Sequence, residues 1–408
     1  MSTPRGPLLF ILATLMIDAI GIGIVFPIMP DLMMRVGAGD IAQGSLWAGF
    51  LMSAYAGAQF LFAPVVGSLS DAFGRKPVLL AAMAFLAVDY VVMALAGSLW
   101  LLLLGRTLAG VAGATYITAT AYIADITPPG QRAARFGLIG AAFGIGFVLG
   151  PALGGLAATW HISAPFWLAA ALALGNVALG LLVLPESLKP ENRRPFGARD
   201  LNPFGVILRA FRIPGLAVPL VCIAVFEFAN MVYPTLWAFW GRETFGWSTL
   251  VIGLSLSAYG VLVAVAQAGV MPLAVARLGE GRLLLAGLGL AVAAFAGLGV
   301  ADALWMVAIL LPMAALTDLV PPTLAALSAN AVEDDRQGMV QGVIASLSSL
   351  AAVLAPLVYT PLFGAFVSGA AGIYLPGAPF LFSGVLVLAL IPLALRAAGP
   401  QRPHMPRG

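Results

Sequence analysis

The chain is poor in the residues from which most catalytic sites are built. It has one cysteine, Cys222, and two histidines, His161 and His404, in 408 residues. A single cysteine excludes an intrachain disulfide. The histidines stand in a short loop and in the tail, which argues against a structural zinc site or a cysteine–histidine catalytic pair. Neither the HExxH nor the GxSxG pattern occurs, which leaves a membrane-embedded enzyme as a remote alternative. Charge is scarce too. Only 9% of residues are Asp, Glu, Lys or Arg, against about 25% in soluble domains. Such a chain cannot cover a water-facing surface. Its net charge of +3 comes from basic residues in connecting segments, and no nucleic-acid partner is expected.

What fills the sequence instead is apolar. Hydrophobic residues make up 61%, and the mean hydropathy is +1.02. Glycine, proline and charge divide the chain into twelve apolar segments near 8–29, 46–68, 77–97, 99–122, 136–158, 164–185, 214–238, 249–274, 282–302, 304–328, 338–366 and 377–397. About 20 residues of helix cross a bilayer core of about 30 Å. Lipid offers the backbone no partner, so each span is helical or part of a closed barrel. Runs this continuously apolar are helices, not the alternating strands of a barrel. The first run contains Asp18 and lacks a small-residue cleavage site. It reads as a retained span and not as a signal peptide.

The basic residues orient the spans. Of the 20 Lys and Arg, Arg35 and Arg242 fall on one side and Arg106 inside a span, which leaves 17 on the other side. Lys and Arg concentrate on the cytoplasmic side, so both termini are expected inside. The longest connection runs from Glu186 to Arg212 and divides six spans from six. Its stretch from Asn202 to Arg212 suits a short helix on the inner leaflet. Loops after the second and eighth spans, Asp71-Ala-Phe-Gly-Arg-Lys and Ala276-Arg-Leu-Gly-Glu-Gly-Arg, form a weak internal repeat. The expected fold is an all-α polytopic membrane protein with twelve transmembrane helices in two pseudo-symmetric six-helix bundles. They cover residues 1–185 and 214–408, joined by a cytoplasmic linker at 186–213. Two such halves around a cavity are common among secondary transporters.

Five ionisable residues lie within the apolar runs: Asp18, Asp89, Arg106, Glu227 and Asp318. A charge at the bilayer centre costs roughly 2.5–3.5 kcal/mol even on lenient insertion scales, so such residues mark functional candidates. At 1.5 Å per residue, Asp18 lies ~16 Å, Asp89 ~18 Å, Glu227 ~20 Å and Asp318 ~21 Å into its span. Arg106 is offset from Asp89 by ~7 Å along the axis, within reach of an arginine side chain. That pair is either a structural ion pair, a functional one, or both. Burial in an apolar cavity disfavours a charged carboxyl, so a proton gradient can load such a group. Tyr55, Gln59, Tyr116, Asn230 and Tyr259 are candidates for the cavity wall, since sites for amphipathic molecules are apolar with few polar anchors. Trp237 and Trp240 lie near a membrane face and read as interfacial anchors.

The loop after the second span reads Gly67-Ser-Leu-Ser-Asp71-Ala-Phe-Gly74-Arg75-Lys76. Gly67 and Gly74 permit close helix approach and a tight turn. Asp71 and Asp125 are candidate partners for Arg75. Ion pairs of this kind can hold one conformation and release another. The loop resembles the cytoplasmic-loop motif of the major facilitator superfamily. Arg106-Thr-Leu-Ala-Gly110 resembles its fourth-helix arginine motif. Gly146-Phe-Val-Leu-Gly150-Pro151-Ala-Leu-Gly154-Gly155 resembles the motif of its antiporters.

Within the superfamily, Asp18-Ala-Ile-Gly-Ile-Gly23, Tyr55-Ala-Gly-Ala-Gln59, Asp89-Tyr90, Tyr122-Ile-Ala-Asp125 and Phe245-Gly-Trp-Ser248 are similar to the tetracycline efflux pumps, twelve-helix drug:proton antiporters. The resemblance implies functional positions at Asp18, Gln59, Asp71, Arg75, Asp89 and Arg106, with gating also at Gly150 and Pro151. It implies proton-coupled efflux of a small amphipathic compound, no cofactor beyond the proton gradient, a monomer, and the bacterial inner membrane. Export of a metabolite or uptake by symport on the same fold is the alternative. The second half departs from that family. Nothing ionises between Leu283 and Val300, and no histidine occurs in 249–274. Glu227 and Asp318 stand there instead.

Overall fold

The computed structural model describes residues 5–113, 115–194, 210–211, 213, 215–332 and 337–397. Every regular element among them is helical. In chain order they are α1 (Arg5–Arg35), α2 (Ile41–Phe73), α3 (Arg75–Leu95), α4 (Leu99–Ala112), α5 (Thr115–Ile126), α6 (Arg132–Ala158) and α7 (Ala164–Val183). Then follow α8 (Ala217–Asn230), α9 (Val232–Phe245), α10 (Thr249–Val265), α11 (Met271–Gly299), α12 (Leu304–Thr317), α13 (Val320–Asn330), α14 (Gln337–Val367) and α15 (Ala378–Ala397). The expected surface helix from Asn202 to Arg212 lies outside the described residues apart from Ala210 and Phe211.

Eleven stretches of the described residues are long and apolar enough to cross a membrane. One of them, Thr249–Gly299, runs for 51 residues, or ~76 Å of helix. That is more than twice a ~30 Å hydrocarbon core. It contains Gly279 at φ +72°, ψ 163°, a backbone conformation essentially restricted to glycine. The stretch therefore holds the eighth and ninth spans, and the loop expected between them is reduced to a break at Gly279.

Three spans expected to be continuous are interrupted. The fourth breaks at Gly113, between α4 and α5. The seventh breaks at Met231, between α8 and α9, and the tenth at Asp318 and Leu319, between α12 and α13. Proline accounts for two of these. Pro234 has no N–H for the carbonyl of Asn230, and Pro321 and Pro322 suit only the first turn of a new helix. Neighbouring helices re-satisfy the freed backbone groups of such breaks in a membrane.

Contacts group Met1–Pro203 with Pro234–Gly260 in one compact unit, and Phe204–Tyr233 with Val261–Gly408 in another. In the first unit α1 packs most extensively on α6, α2 on α4, and α3 on α7. Its core gathers Phe10, Ile11 and Leu15 of α1 with Leu79 and Met83 of α3, Tyr122 and Ile123 of α5, and Leu184. Gly146, Gly150 and Gly154 recur every fourth residue of α6 and form a groove for α1. A side chain at Gly150 would meet the carbonyl oxygen of Ile20 at 2.7 Å and the Cα of Gly23 at 2.9 Å. The next face of α6 receives α10: a side chain at Gly155 would meet Thr249 O at 2.9 Å, and Ser257 Oγ donates to Val148 O at 2.6 Å. Small residues let backbones pack this closely where lipid provides no hydrophobic drive.

In the second unit α8 packs on α13, α14 and α15, while α11 packs on α12 and α15. Tyr233 stacks on Phe295 with ring centroids 5.3 Å apart.

The α1–α6 groove predicts that Gly150→Val lowers the detergent-solubilised melting temperature, because overpacking costs about 1–3 kcal/mol. Gly140→Ala, which points into open space, should leave it unchanged. Equal melting temperatures for the two variants would contradict the close packing.

Candidate functional site

Asp89 on α3 and Arg106 on α4 form a buried ion pair. Their exposures are 3% and 8%, so both side chains are buried. Gly105 makes room for it, since an added Cβ there would sit 3.1 Å from Asp89 Oδ1. The Arg106 guanidinium also lies 5.0 Å from the centroid of the Tyr55 ring on α2, a cation–π arrangement. Asp89 Oδ1 and Arg106 Nε have no further hydrogen-bond partner. Such orphaned atoms are unusual and mark strained or functional places.

Tyr90, next to Asp89 on α3, connects this pair to Asp18 of α1, because both line one cavity. Tyr90 reaches α1 because Gly21, three residues after Asp18, leaves space for its hydroxyl. Asp18 lines a cavity of about 10 Å³ with Thr14, Met83, Leu86, Tyr90 and Ala173, room for roughly one water. Asn176 of α7 donates to Thr14 Oγ1 at 3.0 Å on this wall. Among the described residues no ion pair to Asp18 is present. Gln59, one turn after Tyr55, donates to Gly113 O at 2.6 Å, at the break in the fourth span. The candidates Asp18, Tyr55, Gln59, Asp89 and Arg106 therefore belong to one connected neighbourhood. Tyr116 is 46% exposed and packs edge-on against Phe143, 5.9 Å between centroids, followed by Phe147 and Phe26.

The loop motif builds a second cluster at the end of α2. Arg75 bonds Asp71 at 2.6 Å, Asp125 at 3.1 Å and Ser70 Oγ at 2.9 Å. Ser187 donates to the same oxygen of Asp125 at 3.0 Å. Glu186 supplies what the sequence reading missed. Its carboxylate accepts from the backbone N–H of Arg75 at 2.8 Å and of Lys76 at 3.1 Å, and so caps the start of α3. Anionic groups are favoured there by the free N–H groups and the helix dipole. Gly74, at φ +106°, makes the turn into α3, and any side chain at that position would collide with Glu186. Gly67 has no comparable constraint: an added Cβ would meet only Ile117, at an ordinary 3.8 Å.

In the second unit, Glu227 and Asn230 occupy the last turn of α8, and Asp318 follows the last residue of α12. Asn230 Nδ2 donates to Asp318 Oδ1 at 3.1 Å. Asn230 thus joins the end of α8, which carries Glu227, to Asp318. Both second-half acids thus sit at helix breaks. Tyr259 lies half-buried on α10, in the first unit.

A third cluster was not anticipated. Asp31, near the end of α1, accepts from the Arg242 guanidinium and from the Thr249 hydroxyl. Arg242 also donates to Trp247 O at 3.0 Å. Arg35 bonds Ser163 and, at 3.1 Å, Met93 O. These are the two cations on the sparse side of the topology, which was the available signal. Trp237 and Trp240 are 2% and 0% exposed. They pack on each other and on Trp247 at 5.2–6.2 Å, so they are core residues and not interfacial anchors.

A polytopic helical protein with ionisable groups gathered at broken spans is a membrane transporter in its class. The family follows from comparison. Residues 11–356 match the model of the Major Facilitator Superfamily, and the chain belongs to that family. It is 38% identical to the class C tetracycline resistance protein of Escherichia coli, covering 96% of this chain and 97% of that one. It is 35% identical to the class G protein of Vibrio anguillarum, covering 93% and 95%. Among solved structures it is similar to the human organic anion transporter MFSD10 (TETRAN). The TM-score is 0.69 at 25% identity, covering 97% of this chain and 100% of that one. A bacterial Spinster homologue shares the fold with a TM-score of 0.74 at 16% identity.

The Asp89–Arg106 pair gives a stability prediction. Removing one partner of a buried pair costs about 3–5 kcal/mol. Arg106→Ala should therefore lower the melting temperature by more than Asp89→Asn combined with Arg106→Gln. Equal or reversed losses would show that the pair is not buried as described.

Proposed function

We propose that the protein exports a small amphipathic compound of the tetracycline class across the bacterial inner membrane in exchange for protons, by alternating access. The observation that carries this reading is the pairing within the first-unit cluster. Arg106 pairs with Asp89, whereas Asp18 lines an apolar cavity and, among the described residues, has no ion-pair partner. A desolvated, unpaired carboxyl at mid-membrane depth either takes a proton or meets a polar ligand. Substrate and proton then compete for one charge state, and that competition couples their opposite movements.

Each remaining candidate has a place in this scheme. The orphaned Asp89 Oδ1 and Arg106 Nε are polar anchors for substrate, with Tyr55, Gln59 and Tyr116 on the cavity wall. Glu227 and Asp318, with Asn230 between them, form the second protonatable site, in place of the acid absent from the ninth span. Asn230 and Tyr259 are further polar contacts for substrate. Arg75, held by Asp71 and Asp125, locks the cytoplasmic side. Gly74 gives the turn that permits it, and Gly67, Gly150 and Pro151 belong to the helices that move.

The two halves are residues 1–185 and 214–408, joined by the cytoplasmic linker 186–213. Both termini are cytoplasmic, in keeping with the distribution of Lys and Arg. The unit is a monomer, because one chain carries every group the cycle needs. The chain is a transporter and not an enzyme. Its relatives favour efflux over metabolite export or uptake by symport.

Inverted membrane vesicles with an acidic interior should accumulate radiolabelled tetracycline through the wild-type protein. Asp18→Asn should abolish that accumulation while leaving the protein in the membrane. Accumulation independent of the pH gradient would overturn proton coupling.

A further inference from the structure

The break in the seventh span is held open by two hydroxyls that the scheme above does not use. At the break, Tyr359 of α14 donates to Phe228 O at 3.2 Å, with Ala229 O at 3.4 Å. Ser383 of α15 lies 3.1 Å from Ala229 O and 2.8 Å from the Tyr359 hydroxyl. Ser383 donates to the Tyr359 hydroxyl, and Tyr359 donates onward to the carbonyls between Glu227 and Asn230, where Phe228 O also accepts from Met231 N–H at 3.3 Å. Both side chains are fully buried, at 0% exposure, so no water can replace them. Tyr359 is braced further by its ring, 5.4 Å from Phe228 and 6.1 Å from Phe382.

The chemistry of a broken helix explains why such donors are needed. The carbonyls at a helix end lose their intrahelical partners, and an unsatisfied buried carbonyl costs about 1–3 kcal/mol. In hydrocarbon, hydroxyl side chains of neighbouring helices supply the missing donors. The position of these donors then sets how far the last turn of α8 unwinds. Glu227 and Asn230 flank the two capped carbonyls, and Asn230 reaches Asp318 at 3.1 Å. A shift of the break moves Glu227, Asn230 and their distance to Asp318 together.

We infer that Tyr359 and Ser383 are positioning residues of the second-half coupling site: they fix the α8 break and with it the register of Glu227 and Asn230 against Asp318. This rests on the proton-coupling role proposed for Glu227. Among the described residues the titratable groups around the break are Asp318, bonded by Asn230, Tyr359, bonded to Phe228 O, and Tyr233 at the start of α9. Other buried hydroxyls of the second unit bond locally: Thr317, Ser328 and Thr360 donate to carbonyls of their own helices, and Thr323 to Leu319 O just before its helix.

The test is the pH profile of gradient-driven tetracycline transport in proteoliposomes. Tyr359→Phe keeps the ring and removes the donor. It is expected to displace the midpoint of the profile and to lower transport at fixed pH about fivefold, the equivalent of one net hydrogen bond. Ser383→Ala is expected to act in the same direction, and Ser383→Thr, which restores a hydroxyl, to recover the wild-type profile. In a Glu227→Gln background, Tyr359→Phe should produce no further change of the profile. If Glu227→Gln alters the profile while Tyr359→Phe and Ser383→Ala only lower protein yield, the positioning role is refuted and the Glu227 role stands. If Glu227→Gln leaves the profile untouched, the role of Glu227 fails and the positioning role fails with it.

Discussion

Hydrocarbon offers neither water for a charge nor partners for a backbone. Nearly every polar feature of this protein answers that constraint. Arg106 and Asp89 neutralise each other behind a glycine that makes room for them. Arg75 is bonded by Ser70, Asp71 and Asp125, and Glu186 closes the helix end beside it. The broken seventh span is capped by Tyr359 and Ser383. Against this background a carboxyl inside a span without an ion pair among the described residues stands out, and Asp18 is such a group in the first unit. A static partner would have made it structural. Its freedom suits a group that alternates between proton and substrate.

The same constraint shapes the way helices meet. Lipid competes for apolar surface as well as another helix does, so association comes from close packing. The stripe of Gly146, Gly150 and Gly154 brings the α6 backbone onto α1, and Gly155 with Gly253 brings α6 onto α10. One helix thus joins a first-half neighbour and a second-half neighbour within a single compact unit. Asp31 repeats the link at the far end of α1 through Arg242 and Thr249.

Much of this was legible in the amino-acid order, and for physical reasons. Spans are readable because lipid leaves composition little freedom. The Asp89–Arg106 pairing followed from helix rise, since both residues lie on adjacent helices, α3 and α4, ahead of the break at Gly113. The Arg75 cluster was visible because glycine, acid and base crowd one loop. Contacts between remote segments were not legible. Glu186 acts 111 residues from Arg75, and Asp31 acts 211 residues from Arg242. Tyr359 and Ser383 sit in apolar runs, where one hydroxyl carries no pattern. Trp237 and Trp240 looked interfacial because depth was counted from a span that in fact runs on to Phe245.

If one buried carboxyl serves both substrate and proton, substrate binding must displace a proton. Purified protein in weakly buffered detergent near pH 7 tests it without a gradient or a membrane. Adding tetracycline should release protons from the wild type, and Asp18→Asn should bind with a smaller release. Binding by the wild type with no proton release would contradict the account.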